Sequence, residues 1–182
     1  MSGRLQADGA AVGQPAKTPM VPQRVSAHPG SSSTIVSARM SRARRRDTAP
    51  EVALRRELHA RGLRYRVAYP VPGQRRRTID IAFTRTKVAV FVDGCFWHGC
   101  PEHGTKPRSN SSWWQEKFAA NAARDADTDR TLIELGWQVV RVWEHDANRN
   151  AADLVEECVR KRSSALASVG TSSRISTPRQ QQ

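Results

Sequence analysis

Cysteine is scarce: the 182-residue chain has only three, at uneven spacing. With no apolar leader segment near the N-terminus, this excludes a secreted disulfide framework and implies reduced thiols that are metal ligands or buried. No apolar run approaches the length of a membrane span. The expectation is a cytoplasmic protein with no membrane contact. Hydrophobic residues make up 38% of the chain, too few for a chain packed end to end, so polar, unpacked tails are expected. Acid is short as well. Asp and Glu number 17 against 30 Lys and Arg, which leaves a net charge of +13 and a pI of about 11.1. A polyanion is therefore the first expected partner. Lysine is missing altogether between Arg39 and Arg77, where 13 arginines accompany only Asp47, Glu51 and Glu57. Arginine at that density suits bidentate phosphate contacts and groove insertion; the plain alternative is a solvated basic face.

The Gly-, Pro-, Ser- and Gln-rich start points to a disordered extension over 1–36, and the polar end to a disordered tail over 163–182. Met40 opens a segment that looks like a natural protein start, so the leader reads as an extension or a misplaced start. The span 37–162 is left as one domain. Thr48, Pro50 and Glu51 form a capping box opening a helix that stops near Gly62. Leu63 to Tyr69 alternates as a strand, and Pro70 to Gly73 breaks it in a turn running on into Arg75–Arg77. Strands follow at Thr78–Phe83 and Lys87–Val92. A helix from Ser112 to Leu135 carries Trp114, Phe118, Asn121, Asp125, Thr128, Leu132 and Leu135 on one face. Trp137–Trp143 is a further strand, and Ala151–Arg162 a last amphipathic helix. This order gives an α/β domain, a mixed sheet flanked by helices.

The chain is organised around Val88 to Gly104. An apolar strand there empties into Asp93, Cys95, Phe96, Trp97, His98, Cys100 and His103. Cys95, Cys100 and His103 supply three zinc-type ligands on one loop, and His145, at the end of the neighbouring strand, is the candidate fourth. The alternative makes Cys95 a small buried hydrophobe and the histidines surface residues. Cys158 lies on an apolar helix face and reads as core. His98 fits the zinc set poorly and is free to act as a general base. Asp80 at mid-strand and Asp125 on an inward helix stripe are costly carboxylates unless paired or bound to a cation. In so basic a chain they suit a Mg²⁺-dependent phosphodiesterase; internal pairing with arginine is the alternative. The capping box explains Glu51 by itself. Phe96, Trp97, Trp113 and Trp114 are either wedges that unstack DNA or core packing.

Several motifs taken together resemble the very-short-patch repair (Vsr) DNA mismatch endonucleases. They are Met40-Ser41-Arg42, Arg46 to Thr48 with Glu51, Asp80, and Gly94 to His98. Further on come Trp114, Lys117, Asn121, Arg124 and Asp125, then Gly136-Trp137 and Val142 to Glu144. They run in the family's order and spacing over Ser37 to Asp146. The resemblance implies a restriction-endonuclease-like fold with a structural zinc site. It also implies a Mg²⁺-dependent nick 5′ of the thymine in a T:G mispair left by 5-methylcytosine deamination. Asp80 and the backbone carbonyl of Val92 match the metal ligands, and His98 the catalytic histidine. Asp125 matches an acid that orients the metal's water, and Glu51 one near that water shell. Phe96, Trp97 and Trp114 match the intercalating aromatics. Cys95, Cys100, His103 and His145 fall at or near the zinc positions.

Three departures stand out. Asp93 occupies a place where well-known members carry a second active-site histidine, and an acid there could bind metal but not protonate a leaving group in the same way. The zinc loop is spaced differently. Ile79 replaces the proline that precedes the aspartate in many relatives, and Gln74 to Arg77 replaces a shorter loop. The implied partners are double-stranded DNA with a T:G mismatch and, functionally, a cytosine-5 methyltransferase. The implied setting is a nucleoid-associated monomer. Two rivals remain at this stage: a sequence-specific restriction-type nuclease and a non-catalytic zinc-stabilised DNA-binding module.

Overall fold

The computed structural model describes residues 46–105, 107–146 and 149–172, together with Val25. Helix α1 (Ala49–Ala60) begins at the capping box. Thr48 Oγ1 donates to Glu51 Oε1 at 3.0 Å, and Glu51 Oε2 accepts the Asp47 N–H at 3.0 Å. One carboxylate thus takes the N-cap hydroxyl and the amide before it, while Thr48 Oγ1 accepts the first-turn Glu51 N–H. The helix stops where Gly62 adopts φ +79° and the Leu63 N–H returns to Leu58 O at 3.1 Å, a glycine-terminated end.

Strands β1 (Arg66–Val71) and β2 (Gln74–Phe83) form an antiparallel hairpin, with Tyr69 opposite Ile79. This corrects two expectations. β1 starts later than Leu63 and takes in Pro70 and Val71, and Arg75–Arg77 belong to β2 rather than to the turn. The physical reason is that Pro72 and Gly73, the latter at φ +79°, suffice for a two-residue turn. Pro70 is tolerated because β1 is an edge strand, where a missing N–H costs little.

Strand β3 (Val88–Asp93) pairs antiparallel with β2. The chain then passes through the Cys/His loop into α2 (Ser111–Glu134) and returns as β4 (Gln138–Trp143), parallel to β3. Parallel neighbours need such a crossover. A 3₁₀ turn (Glu144–Asp146) leads to α3 (Arg149–Ser172). The sheet order is β1-β2-β3-β4. This is the expected mixed sheet flanked by helices.

The alternation of the two central strands feeds two cores. Val88 and Val90 join Leu54 and Leu58 of α1 and Val155 and Val159 of α3 on one face. Ala89 and Phe91 join Leu132 of α2 and Trp137 on the other. Burying Leu54 and Leu58 completely contributes roughly 2 kcal/mol each. On α2 the inward stripe is as expected except for Leu135, which is 43% exposed. Cys158 packs against the first core.

Helix α3 does not stop at Arg162. It runs to Ser172, so the first ten residues of the expected disordered tail are helical. Those residues contain no proline, Ala165, Leu166 and Ala167 favour helix, and Ser164 Oγ donates to Arg160 O. Residues 163–168 are all exposed, Leu166 by 53%, so this described stretch packs no face and leaves no periodic trace. The expected disorder over 1–36, Val25 apart, and over 173–182 lies outside the described residues. Among the described residues no helix is long and apolar enough to cross a membrane.

Candidate active site and metal centre

The parallel register of β3 and β4 places Asp93 beside Trp143 at the carboxyl ends of both strands. Crevices at such ends are where α/β sheets bind ligands. Three groups of sequence-derived residues converge here.

Asp80 comes from β2, next to β3. Its Oδ2 accepts the Val92 N–H at 2.9 Å. Burial raises its pKa most, helped by the charges of Glu51 and Asp93. The Val92 amide and Arg141 pull the other way, and the carboxyl ends at about 6. This carboxylate lacks enough positive charge from the protein itself. Glu51, buried in the first turn of α1, is a structural cap, and its charge acts on Asp80.

His98 and Asp125 meet. His98 Nδ1 lies 2.7 Å from Asp125 Oδ2, reaching from the loop to α2. Burial opposes the imidazolium, but the Asp125 hydrogen bond and the Asp93 and Asp125 charges outweigh it, and the His98 pKa rises. Burial likewise works against ionised Asp125, yet the bond and charge of His98, with Arg141 and Arg124, hold its pKa below the usual range. An ionised carboxylate only accepts, so Nδ1 carries the hydrogen and Nε2 is left for other work.

Asp93 is not free. Arg141 Nη1 donates to both of its oxygens, at 2.7 and 3.0 Å. The same guanidinium forks onto Asp129, with Nε 2.9 Å from Oδ2 and Nη2 2.9 Å from Oδ1, and lies 4.6 Å above the Phe91 ring. Its pKa is raised: burial lowers it, but Asp129 and Asp93 more than compensate. Sequence reading missed Arg141 and Asp129. The available signals were an arginine interrupting the apolar alternation of β4 and an acid four residues beyond Asp125 on α2.

The four residues expected as zinc ligands come together in a cluster that could hold a metal ion. The ligand atoms of Cys95, Cys100, His103 and His145 all lie within 4.8 Å of one another, the one such cluster among the described residues. Cys95 Sγ is 3.0 Å and Cys100 Sγ 3.8 Å from His145 Nδ1. Tetrahedral Zn²⁺ bonds would set ligand atoms roughly 3.3–3.8 Å apart, so the set fits such an ion with small shifts. Behind His145, Nε2 is 3.2 Å from Asp146 Oδ2, the carboxylate that typically orients a ligating imidazole. Burial and the neighbouring Cys100 push the Cys95 thiol up to about 11, so ionising it calls for a cation. The loop closes tightly: a Cβ on Gly104 would fall 2.3 Å from Cys100 O. Glu144, noted in the sequence as a motif residue without a role, ties the loop to β4 by accepting the Cys95 N–H at 2.7 Å.

The aromatics form one cluster. Phe96 sits edge-on to Trp97, Trp114 and Phe118 at centroid distances of 5.1, 5.2 and 5.8 Å. Trp113 joins at 4.8 Å from Trp114. Trp114 is buried, while Phe96 and Trp97 are partly exposed. Asn121 Nδ2 donates to Trp97 O at 2.9 Å, fixing the loop that carries the exposed pair.

The family "DNA mismatch endonuclease Vsr" matches over residues 33–103. The type II nicking enzyme V.NaeI of Lentzea aerocolonigenes is 43% identical over 122 residues, covering 65% of this chain and 73% of that protein. The type II nicking enzyme V.XorIIP of Xanthomonas oryzae pv. oryzae is 39% identical over 110 residues, covering 58% and 76%. The DNA mismatch endonuclease Vsr of Escherichia coli is 35% identical over 119 residues, covering 64% and 73%. The chain belongs to the DNA mismatch endonuclease Vsr family.

Proposed function

We propose that this protein is a DNA endonuclease that nicks one strand 5′ of the thymine in a T:G mispair, starting very short patch repair. The observation that carries the reading is the 2.7 Å His98–Asp125 pair, linked to the buried Asp80 carboxyl through Asp93, whose charge acts on both Asp80 and His98. A basic protein with a fixed imidazole and a carboxylate awaiting a cation has the parts of phosphodiester hydrolysis. The domain around it reads as a restriction-endonuclease-like fold.

Asp80 and the Val92 carbonyl are the residues that would hold Mg²⁺, a cation that keeps few protein ligands. What the cation supplies when bound is positive charge for the scissile phosphate. Asp125 fixes the tautomer of His98, whose Nε2 then takes a proton from the attacking water. Glu51 holds its carboxylate near Asp80 from the helix cap. Two thiolates and two imidazoles suit Zn²⁺, which would hold the loop of Cys95, Cys100, His103 and His145 as scaffold. Phe96 and Trp97, backed by Trp114, enter the opened base stack. We further infer a cytoplasmic monomer working at the nucleoid, functionally linked to a cytosine-5 methyltransferase.

Two relatives named as type II nicking enzymes favour a second reading, nicking at a particular sequence without a mispair. A labelled duplex with one T:G pair, against its matched T:A and C:G controls, decides between them. The first reading expects a Mg²⁺-dependent nick in the mispaired strand only, lost in Asp80→Ala. Nicking of the matched control selects the second. Salt-sensitive binding with no cleavage in any divalent metal would refute both.

A further inference from the structure

Resting on the nuclease reading of this site, we propose that Arg141 is a positioning residue that holds Asp93 away from His98, so that Asp125 alone orients the imidazole. Two acids crowd one histidine. Asp125 Oδ2 is 2.7 Å from His98 Nδ1, and Asp93 Oδ1 is 3.7 Å from the same nitrogen. Both carboxylates are largely buried, and a ring nitrogen can serve only one of them well. The choice is made from β4. Arg141 Nη1 takes both oxygens of Asp93, while Nε and Nη2 grip Asp129 on α2.

The clamp is geometrically over-determined. Phe91 lies under the guanidinium, Asp129 fixes its other edge, and the parallel β3–β4 ladder fixes the distance between the backbones that carry Asp93 and Arg141. Arg141 Nη2 also stands 3.9 Å from Asp125 Oδ1, on the side away from the imidazole. One planar cation therefore sorts the three acids. It neutralises Asp93, ties Asp129 to β4, and leaves Asp125 Oδ2 to His98. A planar fork of this kind is what arginine offers and lysine does not. Asp93 in this arrangement is an anion that anchors the site rather than an acid, base or metal ligand.

Removing the guanidinium releases Asp93 to compete for His98 Nδ1, which turns the ring and mis-aims Nε2. Arg141→Met is therefore expected to lower kcat on a T:G duplex by roughly 10- to 100-fold, with KM changed less than about twofold, since Arg141 acts through other side chains. Arg141→Lys should recover only part of the loss. The decisive comparison is the double variant Arg141→Met/Asp93→Asn, with Asp93→Asn as its reference. With the released carboxylate gone, it is expected to nick as fast as Asp93→Asn alone, and its His98 ring ¹⁵N resonances, recorded without added Mg²⁺, should match that reference while those of Arg141→Met move.

A folded double variant as slow as Arg141→Met, with the shifted resonances, overturns the proposal. If Arg141→Met does not fold, the pair Asp93→Asn and the double variant still decides: equal kcat and resonances support the clamp, and a slow double variant refutes it. A wild-type chain that nicks no duplex overturns the nuclease reading instead, and the resonances then decide the clamp alone.

Discussion

Replacing Asp80 with asparagine should make the protein more stable and inactive at once. The carboxyl is half-buried, its environment lifts its pKa from 3.8 to about 6, and burial is the main cause. At neutral pH the folded protein must ionise a group that the unfolded chain ionises more easily. The cost is about 3 kcal/mol. The sign follows from proton counting. Between these pKa values the folded state binds more protons than the unfolded one, so this group's contribution falls as pH rises from about 4 to 6 and stays lost above. Asparagine removes the charge and keeps an oxygen for the Val92 N–H, a 2.9 Å contact. Allowing for imperfect amide contacts, a gain of about 1–3 kcal/mol is expected at pH 7.5, or roughly 5–10 °C in Tm. Thermal melts of both proteins, without added Mg²⁺, from pH 4.5 to 8 test this. Their Tm difference should grow with pH up to about 6 and then level off. Mg²⁺ should then raise the wild-type Tm and leave Asp80→Asn unchanged, because only the state that binds the ion is stabilised. An Asp80→Asn protein that melts at or below the wild type above pH 7 would refute the account of a strained carboxylate.

The metal centre predicts close to one zinc per purified chain, and Cys100→Ser should bring this near zero while lowering Tm sharply, as loss of a structural ligand does. A wild-type zinc content near zero would remove the site from the account. Thr48→Ala removes the N-cap hydroxyl and should cost about 1 kcal/mol in urea unfolding. Because the same hydroxyl donates to Glu51 Oε1 at 3.0 Å, nicking should fall modestly too. An unchanged unfolding midpoint would show that the cap carries no weight.

Much of this molecule is legible in the chain because its signals are local. The capping box at Thr48 to Glu51, the apolar run of β3 and the three- and four-residue steps along α2 each need only a window of sequence. Errors arose where context outranked the window. Pro70 reads as a strand breaker until β1 is known to be an edge, and Arg75–Arg77 read as loop until a two-residue turn is seen to suffice. Residues 163–168 in the extension of α3 are all exposed, so hydrophobic periodicity has nothing to register there. The fourth zinc-type ligand shows the middle case. His145 was reachable from the sequence because it follows β4 directly, and parallel neighbours end side by side.

Asp93 marks the limit of such reading, and the reason is spatial. Taken alone, an acid where the family resemblance implies a histidine looks like damaged chemistry or a new metal ligand. Its meaning depends on Arg141, 48 residues away, which the β3–β4 register sets opposite Phe91, two positions before Asp93. That arginine in turn depends on Asp129, one helical turn beyond Asp125. None of these spacings is fixed by local rules: the first needs strand register, the second the rotation of α2 over the sheet. A departure at one position and its counter-charge at another therefore have to be weighed as a unit. Weighed so, the substitution leaves one carboxylate facing His98. Fixing the imidazole by one acid while another is locked away preserves a single proton path, which two competing acids would divide.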